Sequence, residues 1–135
     1  MNLNETKINL PVSLGVPRIE MPQVDREFIK AFTTYLDKNN ISYAGFKVPI
    51  QKLKSTQKEI NKEKVLDLIQ NPQNIYLKPI IISSDYYIVD GHHRAIAQLN
   101  IDRDYKIKVL KIDQTIMPLL DTVSSFPNVR YKDVE

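Results

Sequence analysis

The 135-residue chain contains no cysteine. That single absence excludes a disulfide framework, thiolate metal sites and cysteine nucleophiles. No apolar run approaches the ~18 residues that a membrane span requires. The opening stretch MNLNETKINL lacks the basic-then-apolar build of a secretory leader, so a reducing, cytoplasmic compartment is the expectation. The chain has two histidines, His92 and His93. With no third imidazole and no thiolate, a zinc site is not expected, and adjacent helical residues point about 100° apart, which makes the pair poor joint ligands. There is no internal repeat and no low-complexity segment. A net charge of +3 suits a protein that meets phosphates, yet is too mild to indicate a nucleic-acid binder by itself.

What is present fits one soluble α+β domain. Hydrophobic residues make up 42% and charged residues 26%, ordinary values for a globular protein. A chain of this length buries roughly two-thirds of its unfolded surface. Residues 1–23 carry Pro11, Pro17, Pro22 and Gly15 with little periodicity, and read as an irregular arm. The arm also holds Leu10, Val12, Leu14, Val16, Ile19 and Met21, too many apolar residues for a free tail, so it is expected to lie packed across the domain.

Beyond the arm, Val24, Phe28, Ala31, Phe32, Tyr35 and Leu36 recur at helical spacing, with Asp25 as N-cap and Lys38-Asn39-Asn40 as the stop. Gly45 introduces a short strand, Phe46 to Ile50, whose Pro49 favours a sheet edge. Asn61 caps a helix through Val65, Leu68 and Ile69 that ends at Asn71-Pro72. Lys78 to Ser83 is a nearly continuous β-branched run and therefore a buried strand. Ser83-Ser84-Asp85 turns it into Tyr86-Tyr87-Ile88-Val89, a hairpin. His92 to Leu99 follows as a helix with Ala95, Ile96 and Leu99 inward. Tyr105 to Ile112 alternates lysines with Ile107 and Val109, predicting a half-exposed strand. A last helix, Gln114 to Val123, and a polar tail from Pro127 complete the order. The densest basic cluster (Lys47, Lys52, Lys54, Lys58, Lys62 and Lys64) is either a solvated face or a phosphate-facing rim.

The chemistry concentrates at Asp90-Gly91-His92-His93-Arg94, where a buried strand passes through glycine into a helix. The leading N–H groups of a helix have no internal partner, and its dipole favours a negative guest. Gly91 lets backbone approach that guest. Arg94 offers a guanidinium fork suited to phosphate oxygens, and His92 and His93 can donate ring N–H groups to the same oxygens. Asp90 either caps the helix or belongs to the site.

These segments resemble the ParB/sulfiredoxin superfamily. Val48 to Gln57 is similar to its opening strand and loop, and Asn61 to Val65 to the start of its first helix. Lys78 to Ile82 with Tyr87 to Arg94 is similar to its central hairpin and signature turn. The match runs from Val48 to about Val123. It implies a short mixed sheet flanked by helices over residues 46–135, with residues 1–45 an added arm and helix of the kind seen in phage-type members. Expected localisation then narrows to the cytoplasm of a bacterial or phage-infected cell. Sulfiredoxins have cysteine where this chain has His92, so sulfinic acid reduction by that route is excluded. Chromosome-partitioning relatives carry a helix-turn-helix domain, for which no room is seen here.

The free-serine kinases of the superfamily share a similar Asp-Gly-His turn. Resemblance to them implies a nucleotide-dependent phosphotransferase using ATP, ADP or another nucleoside triphosphate with Mg²⁺. The acceptor would be a small hydroxyl compound or a modified base in phage DNA. Gly91, His92, His93 and Arg94 would hold the phosphates, and Lys54, Ser55 and Thr56 would contact them from the loop after the first strand. Asp90 or Glu59 would accept the hydroxyl proton, with Asp90 also a ligand for Mg²⁺; Gln57 and Lys58 compete with Glu59 for its place in that loop. The competing expectations are a non-catalytic DNA-binding module and a ParB-like nuclease.

Overall fold

A computed structural model of the chain describes Leu10 and residues 13–131; Pro11 and Val12 of the arm lie outside the described residues. In chain order the elements are β1 (Ser13–Val16), β2 (Pro22–Gln23), α1 (Ile29–Lys38), β3 (Tyr43–Pro49), β4 (Ser55–Gln57), α2 (Lys62–Gln70), β5 (Ile80–Ile82), β6 (Ile88–Asp90), α3 (His92–Ile101), β7 (Lys106–Ile112), α4 (Ile116–Ser124) and β8 (Arg130–Tyr131). Four strands form the central mixed sheet in the order β3-β7-β5-β6. β7 runs antiparallel to β3 and parallel to β5, and β5 pairs antiparallel with β6.

Both faces of the sheet are covered, and the β-branched run shows why. Ile80 and Ile82 point to one side, where they join Val65 of α2 and Ala95, Ile96 and Leu99 of α3. Ile81 points to the other, joining Phe32 and Leu36 of α1 and Ile116, Leu119 and Val123 of α4. Alternate side chains on a strand face opposite ways, so a strand apolar at every position needs helices on both sides. Pro49 ends the edge strand β3, as its missing N–H demands. β7 departs from the simple half-exposed pattern. Its first half buries Ile107 and Val109 toward α3, whereas Leu110 and Ile112 are buried on the opposite face.

The helices follow local chemistry with corrections at Asp25 and Ala31. The Asn61 side chain accepts a hydrogen bond from the Lys64 amide (3.1 Å), a true N-cap. Asp25 makes no such bond, and α1 starts after a single 3₁₀ turn at 26–28. The Asp25 carboxylate is engaged instead by Arg130, whose Nη2 donates to it at 2.7 Å. Ala31, counted on the apolar stripe, is exposed. The arm runs across the domain: β1 pairs parallel with β4, and Met21 and Val24 are fully buried. The expected polar tail is not irregular throughout, because β8 pairs antiparallel with β2.

Ile81 is fully buried at the centre of the sheet. Ile81→Ala is expected to destabilise the chain by about 2–5 kcal/mol, the lost transfer energy plus a cavity. Denaturant unfolding should show a lower midpoint at unchanged slope; a cost under about 1 kcal/mol would contradict the two-sided packing.

Candidate functional site

The start of α3 opens onto a cleft of about 370 Å³ lined by Gln23, Lys64, Asp67, Leu68, Lys78, Asp90, Gly91, His93, Arg94 and Arg130. Four basic side chains (Lys64, Lys78, Arg94, Arg130) face two carboxylates there. The helix contributes the amides of its first turn, which have no intrahelical acceptor.

Gly91 is the N-cap of α3 with φ +116°, a conformation that L side chains rarely adopt. Space also requires glycine. A Cβ at this position would lie 2.9 Å from Arg94 Nη2 and 2.9 Å from Ile80 Cγ1. The missing side chain is therefore what lets the Arg94 guanidinium fold back over the turn.

Asp90 closes β6 and is almost wholly buried. Its Oδ2 accepts from Lys78 Nζ at 2.7 Å and from the Val24 amide at 3.0 Å. It does not cap α3. Lys78 Nζ also donates to the Val24 carbonyl at 2.5 Å. Oδ2 is thus committed to protein donors and makes Asp90 a counter-ion for Lys78, while the residue also lines the cleft.

Arg94 Nη1 donates to the Lys78 carbonyl at 2.6 Å, and Nη2 stands 3.7 Å from Asp90 Oδ1. Nη2 is buried and makes no hydrogen bond with the protein. Burial lowers the pKa of this guanidinium from its ordinary value, against the opposing pull of Asp90, but arginine stays cationic at any physiological pH. A buried guanidinium N–H without a hydrogen-bond acceptor is rare in a folded protein, and this one adjoins the leading amides of a helix.

The two histidines separate. His93 lines the cleft, and its Nε2 accepts from the Asn61 amide at 3.0 Å. His92 does not line it. Its Nε2 accepts from the amides of Thr56 (3.0 Å) and Gln57 (3.2 Å), which holds β4 against α3. An Nε2 that accepts amide protons belongs to a neutral ring protonated at Nδ1. His92 is thus corrected from phosphate donor to buried support.

The loop after the first strand is likewise corrected. Ser55 and Thr56 are fully buried in β4, and Lys54 lies with its ammonium 5.0 Å from the Tyr87 ring centre. None of the three lines the cleft. Glu59 is outside it too, accepting from the Arg18 amide at 2.6 Å and so anchoring the arm. The pairing of β1 with β4 is the cause, because it converts the expected loop into an interior strand.

Sequence reasoning missed Arg130, Gln23 and Asp67, and noticed Lys64 and Lys78 only as parts of a charge run and a strand. A lysine two residues before a buried strand, with an aspartate ending that strand's hairpin partner, was the available signal for Lys78. Nothing local marks Arg130. It reaches the cleft because β8 returns to pair with β2.

Gly91→Ala is expected to cost roughly 1–3 kcal/mol from backbone strain alone and to displace Arg94. Gly45→Ala, where the added Cβ meets only a carbonyl at 3.8 Å, should be tolerated; equal stability of the two variants would refute the cradle. The Arg130 hydrogen bond and charge lower the Asp25 pKa below its ordinary 3.8. That contact therefore adds stability above the unfolded pKa and loses it as pH falls through the folded one. The stability gap between wild type and Asp25→Asn, followed by denaturation from pH 6 downward, should be at most about 1 kcal/mol and shrink below about pH 4. A gap that widens in acid would show the wrong sign.

No family model and no curated protein matches the sequence. Among solved structures the chain is similar to a Pnob8-like ParB-N domain, with 22% identity and a TM-score of 0.46. The likeness covers 62% of this chain and 34% of that one, so the chain spans about a third of that protein's length.

Proposed function

We propose that the chain binds the phosphates of a nucleotide, with ATP and ADP the first candidates, in the cleft at the start of α3. The observation that carries the reading is Arg94 Nη2, a buried guanidinium donor without a protein acceptor beside the leading amides of a helix. Lys64 and Arg130 extend the positive lining. Among the described residues no three histidine, aspartate or glutamate side chains cluster to cage a metal. Mg²⁺ would thus be held chiefly by the phosphates, as it commonly is.

A phosphotransferase acting on a small hydroxyl compound or a modified DNA base is the finer form of this reading. Glu59 lies outside the cleft, and Asp90 Oδ2 is already held by Lys78 and the Val24 amide. Asp67, exposed on α2 and lining the cleft, is the carboxylate with access. Phosphoryl transfer asks a protein mainly for positioning and charge stabilisation, which a cationic cleft with one accessible carboxylate supports. The same lack of a carboxylate cluster gives a two-metal nuclease little support.

A thermal-shift series with ATP, ADP, CTP and GTP, each with Mg²⁺, tests the reading, because a ligand of the folded state raises its melting temperature. At least one nucleotide should stabilise the chain. Arg94→Ala should weaken its binding by about 1.5–3 kcal/mol, while Lys54→Ala leaves affinity unchanged. Absence of any shift, or equal affinity in Arg94→Ala by calorimetry, would overturn it. If transfer occurs, Asp67→Asn should lower turnover without lowering nucleotide affinity.

A further inference from the structure

A second cavity, of about 210 Å³, lies at the start of β7 and is lined by Lys47, Tyr76, Leu77, Pro79, Tyr105 and Lys108, with Ile75, Lys78 and Ile107 completing it. No aspartate or glutamate is in that lining. Lys78 is the residue it shares with the phosphate cleft, and its ammonium is committed to Asp90 there.

The register of the sheet makes this surface unusual. Lys47 of β3 stands directly opposite Lys108 of β7, and Lys106 shares the face of Lys108 two residues along. All three are exposed, and among the described residues none of them forms an ion pair. Like charges placed directly across an antiparallel pair oppose folding, so the sheet carries a repulsion that its own side chains do not relieve. Tyr76 and Leu77, which line the same cavity as Lys47 and Lys108, are 47% and 49% exposed. Tyr76 is not loosely placed: its hydroxyl bonds the Gln98 side-chain oxygen, and its ring lies 5.7 Å from that of Tyr105. The lysines alternate with Ile107 and so leave the sheet on the side away from α3, which puts an aromatic wall and a cationic rim on one cavity at the sheet's end. That pairing matches one chemistry well, that of unstacked bases on a phosphate backbone.

We infer that this face binds single-stranded nucleic acid, with a base on Tyr76 and backbone phosphates on Lys47, Lys106 and Lys108. It shares Lys78 alone with the lining of the nucleotide cleft and does not depend on nucleotide binding there. A duplex keeps its bases stacked and would forgo the tyrosine, and an acidic peptide would use the lysines alone. Single strands are therefore preferred over both.

The test is fluorescence anisotropy of labelled oligothymidylate and oligouridylate about 12 nucleotides long, the two arms separating DNA from RNA as the source. Three phosphate contacts should give a slope of log affinity against log salt near −2, and Lys47→Gln with Lys108→Gln should reduce it to about −0.7. Tyr76→Ala should weaken binding at least about fivefold. Because Lys108→Gln removes the cross-strand repulsion, its melting temperature should rise while its affinity falls. Excess ATP with Mg²⁺ should leave the oligonucleotide bound. The inference is overturned by equal affinity for a duplex of the same length, by competition from polyglutamate at equal charge, by displacement with ATP, or by lysine variants that lose binding only as they lose stability.

Discussion

The buried carboxylate of Asp90 is the contact on which the cleft depends. Three segments converge on it: the Val24 amide, 66 residues away in the chain, the Lys78 ammonium from the approach to β5, and the Arg94 guanidinium one helical turn on in α3. A buried charge is tolerated only when it is paired and its lone pairs are occupied. That requirement ties the arm to the sheet and the sheet to the helix. It also commits Oδ2 of the carboxylate, next to Gly91, to protein donors.

Around that pin, three consecutive side chains of α3 serve three different neighbours. Successive helical residues diverge by about 100°, so His92 reaches β4, His93 reaches the N-cap of α2, and Arg94 reaches the segment before β5. What reads in sequence as one cluster of anion donors is, in space, a hub that positions three elements. Arg94 keeps a guanidinium donor, Nη2, without a protein hydrogen bond beside the leading helix amides. Their value to an anion rises with the burial that removes competing water.

The elements of the fold were legible wherever a local rule decides them. Ile80-Ile81-Ile82 announced a strand covered on both faces, Asn61 a helix start, Pro49 a sheet edge, and Gly91 a turn that only glycine makes easily. The site was less legible. Gly91, His93 and Arg94 line one cleft and were legible together because strand, glycine and helix adjoin in sequence. Ser55, Thr56 and Glu59 were misplaced because a parallel pairing with the arm, about 40 residues away in the chain, turned their loop inward. Arg130 carried no local signal at all.

Sequence alone determined the α+β class, the order of the elements and the position of the strand-glycine-helix turn, since periodicity, caps and glycine conformation act within a few residues. Tertiary structure alone decided which charges face the cleft and which lysines confront each other across the sheet. Those outcomes depend on strand register and on the arm's return over the domain, and long-range pairing leaves no mark on the residues until the chain has folded.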